Sequence, residues 1–506
     1  MRDMTSPEGA PPLLYVRTAE TVRRMIEQGL FRAGERVPSI RTLSKHLRVG
    51  INTAKQAYIV LEDAHVIQGR ARSGFYVPAR PHRQESGRSQ ARPTASAVKL
   101  SDDYEATIRS LSDRQLLPLG QGSPNPELLP AVKLGRMLAS QVRRRPTAAI
   151  SYAEANGDLH LRTQIGKRSL DYGCAFSAND IVITAGCVEA VSLALQAVCR
   201  PGDTVAVESP VYYTFLNLMR LLGLKILEIP AAPEGGMSLD VLKYALSKNP
   251  VRACLLISSF NNPLGSLMPA EKKRELARAL GKLDIPLIED DVYGDVGFGH
   301  ERPPVLKNYD DKGLVLLCSS FSKTLAPGYR VGWIAAGRFQ SKVQQLKSLF
   351  SVATATPTQL AVADFLANGG YDRHLRTIRR RVTDNAENVR RAITGAFPPG
   401  TRVAKPAGGY VTWVELPEGF DARQLAKRAA DEGIGVAPGH LFSLGTSFDH
   451  CLRINHSYWS DNIRKGIESL GALAEKCQAK EPARRDRFHA AADRAMSSGS
   501  RAPEGR

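Results

Sequence analysis

With 506 residues the chain is too long for one hydrophobic core, so two or three domains are expected. A hydrophobic content of 43% is ordinary for a globular protein, but a formal net charge of +19 favours a polyanionic partner such as nucleic acid. No apolar run approaches the roughly 20 residues that span a bilayer, and the first residues lack the apolar core of a signal peptide. The seven cysteines contain no Cys-x-x-Cys pair, so we expect reduced thiols and no metal site. Together these features predict a cytoplasmic protein without a membrane segment.

The first structured unit is predicted over residues 13–80, after a loose arm at 1–12. Apolar spacing predicts three helices, the first over 18–30 and the second capped by Ser39. The third helix, over 52–63, would turn Ala54, Ala57, Tyr58 and Leu61 inward. A basic turn at 69–73 then joins two short β-rich runs, which indicates a hairpin with a cationic tip.

Three helices followed by a basic hairpin are typical of a winged helix-turn-helix. Its third helix would enter the major groove, while the hairpin, or wing, would contact the DNA backbone or the minor groove. Residues 13–80 carry twelve Lys and Arg against five Asp and Glu, the charge excess expected of a DNA-binding unit. Taken singly, each of these basic residues is also compatible with an ordinary solvated helix face.

Three segments of this unit, at 34–43, 52–62 and 73–77, resemble the GntR-type winged helix. The resemblance implies that Gly74 and residues of the second and third helices face DNA. One departure concerns Ile51 and Asn52, which stand where the family usually has Ser-Arg, so the resemblance does not fix the base contacts. Together with the basic side chains of the helix and wing, the candidate DNA-binding residues are Ser39, Arg41, Asn52, Thr53, Lys55, Arg70, Arg72 and Gly74.

A linker is predicted over 81–117. From Arg80 to Ala97 the chain is rich in Pro, Arg, Ser, Gln and Gly and almost lacks large apolar residues, which predicts a flexible tether. Large apolar residues reappear over 98–117, and this stretch could form a short helix that begins the next domain.

The body, predicted over 118–475, alternates short β-rich runs with helical segments. This α/β pattern predicts a mostly parallel central sheet, with ligands at the carboxyl ends of its strands. A smaller α+β subdomain is expected from about 345 to 475, followed by a basic tail at 476–506 that frays. The five main strand runs are 181–184, 205–208, 254–257, 286–288 and 313–318.

The run at 313–318 leads to Lys323, which is costly at the end of a buried strand unless it has a chemical use. A partly desolvated lysine loses its proton more readily and forms a Schiff base with an aldehyde. Ser320, Ser322 and Arg330 suit a phosphate dianion, and an aldehyde that carries a phosphate is pyridoxal 5'-phosphate (PLP). The alternative is a lysine and an arginine that simply flank a surface turn.

Other strand ends supply the remaining groups that PLP needs. The run at 181–184 turns through Gly186 into a helix whose N-terminus, at Cys187 and Val188, suits a phosphate. Asp290 would pair with the pyridine nitrogen, an amide and a phenol would meet the ring hydroxyl, and an aromatic face would stack on the ring. The candidates for the last three roles are Asn262, Tyr293 and Tyr212. Each functional role has a purely structural alternative. These alternatives are a helix cap for Asp290, core packing for Tyr212 and Cys187, and a surface position for Arg453 in the later β-rich run 451–455.

The motifs Asn262-Pro263-Leu264-Gly265, 289–293, Ser320-Phe321-Ser322-Lys323 and 330–333 resemble fold-type I aminotransferases of the aspartate aminotransferase and 2-aminoadipate type. A GntR-type winged helix ahead of such a domain resembles the MocR family of transcription regulators. The resemblance implies that Lys323 forms the internal aldimine, that Arg453 binds a ligand carboxylate and that Tyr152 reaches the neighbouring subunit's phosphate in a homodimer. Many relatives have Ser or Thr and then Gln at the positions of Cys187 and Val188, and Thr at that of Leu264.

The leading hypothesis is a PLP-dependent transcription regulator that binds a double-stranded DNA operator as a homodimer. Its aminotransferase-like domain would sense an amino acid or amine through aldimine exchange at Lys323. A working aminotransferase with an attached DNA-binding domain is the alternative, because Asp290, Lys323 and Arg453 together permit catalysis. In a third hypothesis, the large domain is only a dimerisation scaffold.

Overall fold

The computed structural model describes residues 13–27, 30–31, 34–64, 66–70, 73–78, 93–100, 104–299 and 301–478. No helix within these ranges is long and apolar enough to cross a membrane. The helices are α1 (Leu14–Glu27), α2 (Ile40–Leu47), α3 (Ile51–Asp63), α4 (Tyr104–Leu111), α5 (Ala131–Arg144), α6 (Pro146–Ile150), α7 (Leu159–Arg168), α8 (Cys187–Val198), α9 (Tyr213–Leu221), α10 (Leu239–Leu246), α11 (Ala270–Lys282), α12 (Gln340–Phe350), α13 (Thr356–Ala367), α14 (Gly370–Ala396), α15 (Ala422–Asp431) and α16 (Asp461–Gln478). The strands are β1 (Gln68–Arg70), β2 (Gly74–Tyr76), β3 (Ser96–Ala97), β4 (Val182–Thr184), β5 (Thr204–Ser209), β6 (Lys225–Ala232), β7 (Gly236–Met237), β8 (Val251–Leu256), β9 (Leu287–Asp290), β10 (Val315–Ser320), β11 (Gly332–Ala335), β12 (Arg402–Val403), β13 (Val411–Glu415), β14 (Ala437–Pro438) and β15 (Cys451–Asn455).

The N-terminal unit is a winged helix, as predicted. Helices α1, α2 and α3 pack together, and β1 pairs with β2 in an antiparallel hairpin. Ser39 caps α2, because its side chain accepts a hydrogen bond from the backbone N–H of Thr42. The inward face of α3 is fully buried, and the hydroxyl of Tyr58 donates to the Pro38 carbonyl at 2.6 Å. The first helix starts four residues earlier than predicted and ends before Leu30.

The winged helix rests on α10 of the body through α1, α2 and Phe31. The rings of Phe31 and Tyr244 meet edge to face with their centroids 6.1 Å apart, and His46 meets Tyr244 at 5.9 Å. Arg24 forms an ion pair with Asp240, with 3.6 Å between Nη2 and Oδ2. None of these contacts involves a residue of α3, and the outer face of α3 stays exposed.

The body is built on a nine-stranded sheet in the order β3-β6-β5-β8-β9-β10-β11-β4, with β7 paired to β6. Strands β6, β5, β8, β9 and β10 are parallel, and β4 runs in the same direction because β11 is antiparallel to both β10 and β4. The predicted mostly parallel sheet is therefore confirmed. The carboxyl ends of these six strands lie at one edge of the sheet.

The structure differs from the predicted linker boundaries. Within the stretch expected to be a flexible tether, β3 pairs with β6 at the edge of the sheet, placing Ser96 opposite Ile226. An edge strand is held by backbone hydrogen bonds and needs no apolar side chains, so composition did not reveal it. Helix α4 then buries Tyr104 and Leu111 against the body. Residues 79–92 lie outside the described part of the chain.

The smaller C-terminal layer is a four-stranded sheet in the order β12-β13-β15-β14, packed with α15, α16 and the end of α14. The smaller layer begins later than the predicted residue 345. Helix α13 still packs against α5 and α7, and so belongs to the large layer, which is built on the nine-stranded sheet. The 27-residue helix α14 joins the two layers. Helix α16 continues through the predicted start of the tail to Gln478; residues 479–506 are outside the described ranges.

Candidate functional site

Five predicted groups meet at the carboxyl edge of the central sheet. Strand β9 ends at Asp290, and β10 ends at Ser320, three residues before Lys323. The chain after β8 leads to Asn262, and the chain after β5 leads to Tyr212. Because these strands are parallel, residues far apart in sequence converge on one cleft.

Lys323 is partly buried in this cleft. Its Nζ donates a hydrogen bond to the carbonyl of Gly122 at 2.7 Å and lies 5.7 Å from the centroid of the Tyr293 ring. Burial, helped by the positive charge of Arg453, lowers the pKa of the Lys323 amine to about 8, while Asp290 opposes this shift. About a tenth of this amine is therefore neutral, and nucleophilic, near neutral pH, a far larger fraction than for an ordinary lysine with a pKa of about 10.4.

Asp290 is a buried carboxyl group with neutral hydrogen-bond donors around it. It accepts a hydrogen bond from the backbone N–H of Val292 at 3.1 Å and another from the thiol of Cys187. Burial raises the pKa of Asp290 to about 7. A cation placed against this carboxylate, such as a protonated ring nitrogen, would be strongly favoured there.

A compact polar cradle lies where β4 turns into α8. Gly186 precedes the helix with φ of 88°, and a Cβ at this position would come within 2.3 Å of Nη2 of Arg330. Arg330 donates from Nη2 to the Ala185 carbonyl at 2.8 Å and from Nη1 to Oγ of Ser322 at 3.4 Å. The backbone N–H of Ser322 in turn donates to Oγ of Ser320 at 3.3 Å. The cradle thus joins a fixed cation, two hydroxyls and a helix N-terminus, which is the chemistry of a phosphate site.

Cys187 and Val188 occupy the first turn of α8. The Cys187 thiol is buried, and burial raises its pKa well above the usual range, so it is a packed thiol and not a nucleophile. The side chain of Val188 is exposed. These two residues can contribute backbone N–H groups to an anion but little from their side chains.

Arg453 on β15 is fully buried, so the alternative of a surface arginine is wrong. Its Nη1 donates to Oδ1 of Asn262 at 3.0 Å, and its Nη2 donates to the carbonyl of Gly120. Nδ2 of Asn262 donates to the hydroxyl of Tyr293 at 3.4 Å. An aromatic ring lies beside the guanidinium, since Cζ of Arg453 is 5.1 Å from the centroid of the Phe442 ring. A planar cation at the floor of the cleft can bind a carboxylate through two parallel hydrogen bonds.

Tyr212 and Tyr152 lie in different surroundings. Tyr212 is half-buried at the N-terminus of α9, with its ring 5.4 Å from that of Phe215. Tyr152, between α6 and α7, is 85% exposed on the surface of the single chain. The structure therefore brings Tyr212 to the strand ends but leaves Tyr152 outside the cluster that the other residues form.

Two features of the site were missed by sequence reasoning. The loop 120–123 covers Lys323 and Arg453 with backbone carbonyls, and Nδ2 of Asn455 holds it at Gln121 (2.9 Å) and Ser123 (2.7 Å). Main-chain acceptors have no side-chain signature, so no sequence signal could have found this loop.

The second missed feature is the contact of α14 with Thr324, the neighbour of Lys323. The hydroxyl of Tyr371 donates to Oδ2 of Asp295 at 2.8 Å and lies 3.0 Å from Oγ1 of Thr324. Nε2 of His374 lies 2.7 Å from the carbonyl oxygen of Thr324. The spacing of Tyr371 and His374, three residues apart on one helix, shows only that they share a face. Helix α14 is thus hydrogen-bonded directly to the lysine turn.

The predicted DNA-facing residues lie on α2, α3 and the wing. Ser39, Arg41, Asn52 and Lys55 are exposed, and Thr53 is half-buried. The wing carries the rest: Gly74 has φ of 104°, and the Arg70 guanidinium stacks 4.4 Å from the Tyr76 ring centroid. Arg72 lies outside the described residues.

Comparison with known families assigns both parts of the chain. The pattern of the family "Aminotransferase class I and II" matches residues 115–470, and that of "Bacterial regulatory proteins, gntR family" matches residues 14–77. The fold and site are thus those of an aminotransferase-like domain that follows a GntR DNA-binding domain.

Similar proteins have the same two-part organisation or the larger part alone. The uncharacterized HTH-type transcriptional regulators YjiR and YdcR of Escherichia coli (strain K12) are 38% and 34% identical to this chain, covering 90% and 91% of it and 98% and 99% of their own lengths. The solved structure of LysN, an alpha-aminoadipate aminotransferase from Thermus thermophilus complexed with N-(5'-phosphopyridoxyl)-L-leucine, matches 76% of this chain and 96% of its own with 28% identity and a TM-score of 0.70. The chain belongs to the MocR family of regulators, with a GntR-type DNA-binding domain and an aminotransferase-like domain.

Proposed function

We propose that the protein is a PLP-dependent transcription regulator whose aminotransferase-like domain senses an amino-group ligand through aldimine exchange at Lys323. The observation that carries this proposal is the position of the Lys323 amine, with its lowered pKa, beside Asp290 and Arg453. The same chain presents an exposed α3 for DNA. A ligand site and a DNA-reading surface in one chain are what a ligand-responsive regulator requires.

The residues of the cleft fit PLP as cofactor. Arg330, Ser320, Ser322 and the N–H groups at 186–188 would hold the phosphate, and Gly186 leaves room where a Cβ would meet Arg330. Asp290 would keep a proton on the ring nitrogen. When bound, PLP supplies an electrophilic carbon for amines and an electron-withdrawing ring. The other residues that would hold the ring are Asn262 and Tyr293 at its oxygen and Tyr212 on its face.

A ligand with both an amino group and a carboxylate fits the cleft best. Arg453 is buried and its fork already meets two oxygens, those of Asn262 and Gly120, which a carboxylate could replace. The amine of the ligand would replace the Lys323 amine in the bond to the cofactor. The effector class that we propose is therefore an amino acid, with simple amines as weaker ligands.

Helix α14 offers a path by which events at Lys323 reach the rest of the protein. Tyr371 and His374 hold Thr324 at one end of the helix, and Nδ2 of Asn385, further along, donates to the Ser457 carbonyl at 3.0 Å. A ligand that moves Lys323 would change contacts of one rigid helix that spans both layers.

A homodimer completes the proposal. Ile150 and Tyr152 are 89% and 85% exposed, and Leu349 and Phe350 at the end of α12 are also exposed. Thr356 donates from Oγ1 to the Ser151 carbonyl at 2.9 Å, which ties the segment of Tyr152 to the start of α13. Exposed apolar side chains of this size favour burial against a second copy, where Tyr152 would reach the partner's phosphate site. Sedimentation of wild type and of Ile150→Asp would test this; a monomeric wild type would contradict it.

An active aminotransferase is the second candidate, because the lysine, the aspartate and the arginine are all present in the cleft. The 2-aminoadipate transaminase of Thermus thermophilus is 29% identical over 72% of this chain. Repeated conversion of an amino acid to its 2-oxo acid would favour this function over sensing.

The test of the proposed function measures DNA binding with and without ligand. The full chain is titrated with a duplex selected from a random-sequence library, in the presence and absence of each of a panel of amino acids. Lys323→Ala should keep DNA binding and lose the ligand-dependent change. Lys312→Ala is the matched control, because Lys312 is exposed, precedes β10 and donates from Nζ to the Gly281 carbonyl, away from the cleft. A Lys323→Ala variant that responds like wild type would contradict the proposal.

A further inference from the structure

The outer face of α3 carries an unusual pair of residues at its N-terminal end. Ile51, the first residue of the helix, is 55% exposed, and Asn52 beside it is exposed as well. The helix is capped by Gly50, which has no side chain to shield them, and its first turn has no acidic residue. The Ile51 side chain is therefore free to meet an apolar group of a partner at this end of the helix.

These residues belong to one continuous surface. With 3.6 residues per turn, the exposed positions of α3 fall within an arc of about 140°. The opposite side of the helix carries the residues that are fully buried, which are Ala54, Ala57, Tyr58 and Leu61. The exposed positions are Ile51, Asn52, Lys55, Gln56, Ile59 and, at the last residue of the helix, Asp63.

The docking of the winged helix leaves this surface free. The contact with the body uses Phe31 and His46 against Tyr244 and the ion pair of Arg24 with Asp240, and none of these residues belongs to α3. Ile51 and Asn52 are therefore exposed in the whole chain, with the winged helix in contact with the body, and not only in an isolated domain. In a helix-turn-helix, the N-terminal residues of the second helix of the motif are the ones that contact base edges.

We infer that Ile51 and Asn52 read an adjacent thymine and adenine in the major groove of the operator. The thymine C5-methyl group is the one apolar group that a base pair presents in the major groove, and it suits the Ile51 side chain. An asparagine amide matches the N6 donor and N7 acceptor of adenine in a bidentate contact. This inference rests on the proposed DNA-binding function and assigns base contacts that the family resemblance did not fix.

The other positions of the face have different tasks. Lys55, one turn beyond Ile51, is a flexible point charge that suits a phosphate. Ile59 lies about 12 Å further along the helix axis, where an HTH helix leaves the base edges. Ile59 is 39% exposed and so provides a matched control for Ile51 on the same face.

The experiment uses the full-length protein and a random-sequence duplex library to select its preferred site. Each thymine of the selected site is then replaced in turn by deoxyuridine, which removes only the methyl group. At one thymine per half-site the wild-type affinity should fall about threefold to fivefold, the effect of one buried methyl. Ile51→Ala should abolish that sensitivity to uracil, and Ile59→Ala should retain it.

Asn52→Ala tests the neighbouring base. It should lower the discrimination for adenine over the other bases next to that thymine by about tenfold to a hundredfold and leave the uracil effect in place. Because both side chains are exposed, the variants should fold, which circular dichroism would verify.

The outcomes separate the inference from the function on which it rests. A specific site in which no thymine is sensitive to uracil, or in which Ile51→Ala keeps the sensitivity, would overturn the base assignment while leaving DNA binding intact. Equal loss of sensitivity in Ile51→Ala and Ile59→Ala would also overturn it. If the library yields no specific site at all, the proposed regulatory function fails, and the inference with it.

Discussion

Arg453 and Asn262 form one hydrogen-bonded unit at the centre of the cleft, with 3.0 Å between Nη1 and Oδ1. Asn262 in turn donates from Nδ2 to the hydroxyl of Tyr293. The group proposed to bind the ligand carboxylate is thus coupled to the groups proposed to bind the cofactor ring. A carboxylate that takes hydrogen bonds from Arg453 must compete with Asn262, so ligand binding should change the surroundings of the ring.

Arg453→Lys should weaken amino-acid binding at least tenfold. Lysine keeps the positive charge but cannot make two parallel hydrogen bonds to a carboxylate. The measurement is the ligand concentration that half-completes the absorbance change of the cofactor. The decarboxylated amine of the same amino acid is the control, and its binding should change little. Equal weakening of both ligands would show that Arg453 does not contact the carboxylate.

The lowered pKa of Lys323 predicts how cofactor uptake depends on pH. A lysine amine must be neutral to attack an aldehyde, and burial and Arg453 bring its pKa down to about 8. The rate at which the cofactor-free protein regains its absorbance with PLP should therefore rise through pH 8 and level off above it. An ordinary lysine, with a pKa of about 10.4, would give a rate that still rises at pH 10.

Arg453→Gln provides a second readout of the same effect. Removal of this positive charge should move the midpoint of the pH profile to higher pH, because Arg453 is the second cause of the shift after burial. An unchanged midpoint would mean that the two cations do not interact.

Tyr244→Ala should loosen the docking of the winged helix without unfolding it. Tyr244 provides the aromatic face for both Phe31 and His46, whereas the core of the winged helix lies around the fully buried Tyr58. Amide hydrogen exchange should become faster in α1 and at Phe31 but stay slow in α3. As a control, Tyr309→Ala removes a tyrosine that contacts Arg274 elsewhere on the body. Unchanged exchange in Tyr244→Ala would contradict a docked arrangement in solution.

Ser39→Ala should destabilise α2 by about 1 kcal/mol, because Oγ of Ser39 accepts from the N–H of Thr42 at 3.2 Å and caps the helix. Hydrogen exchange of the first-turn amides of α2 should rise about fivefold. Ser39→Asn, which preserves capping, should restore slow exchange. DNA affinity measured on both variants then separates the two roles of Ser39, since a role limited to capping predicts recovery of affinity in Ser39→Asn.

The fold and the core of the site could be predicted because their signals are local. Asp290 and Lys323 each follow a short apolar run, and parallel strands bring such ends together. The buried face of α3 likewise follows from helical spacing.

Other features depend on contacts that no local pattern contains. The carbonyl of Gly122 reaches Lys323 over 201 positions of sequence, and backbone atoms are the same in every residue. The two-residue strand β3 and the docking of Phe31 on Tyr244 arise from tertiary pairing alone. Sequence patterns therefore specify which side chains gather, but not the main-chain loop that covers them.

The most direct test of sensing at Lys323 is an absorbance titration of the purified protein near 420 nm, roughly where a PLP–lysine Schiff base absorbs. Amino acids and related amines are added one at a time, and 2-oxo acid formation is measured in the same samples. The account predicts a band that is absent in Lys323→Ala and that shifts with one class of amino acid without accumulation of a 2-oxo product. Sustained turnover would make the protein an enzyme first, and a band that no amino compound shifts would contradict sensing at Lys323.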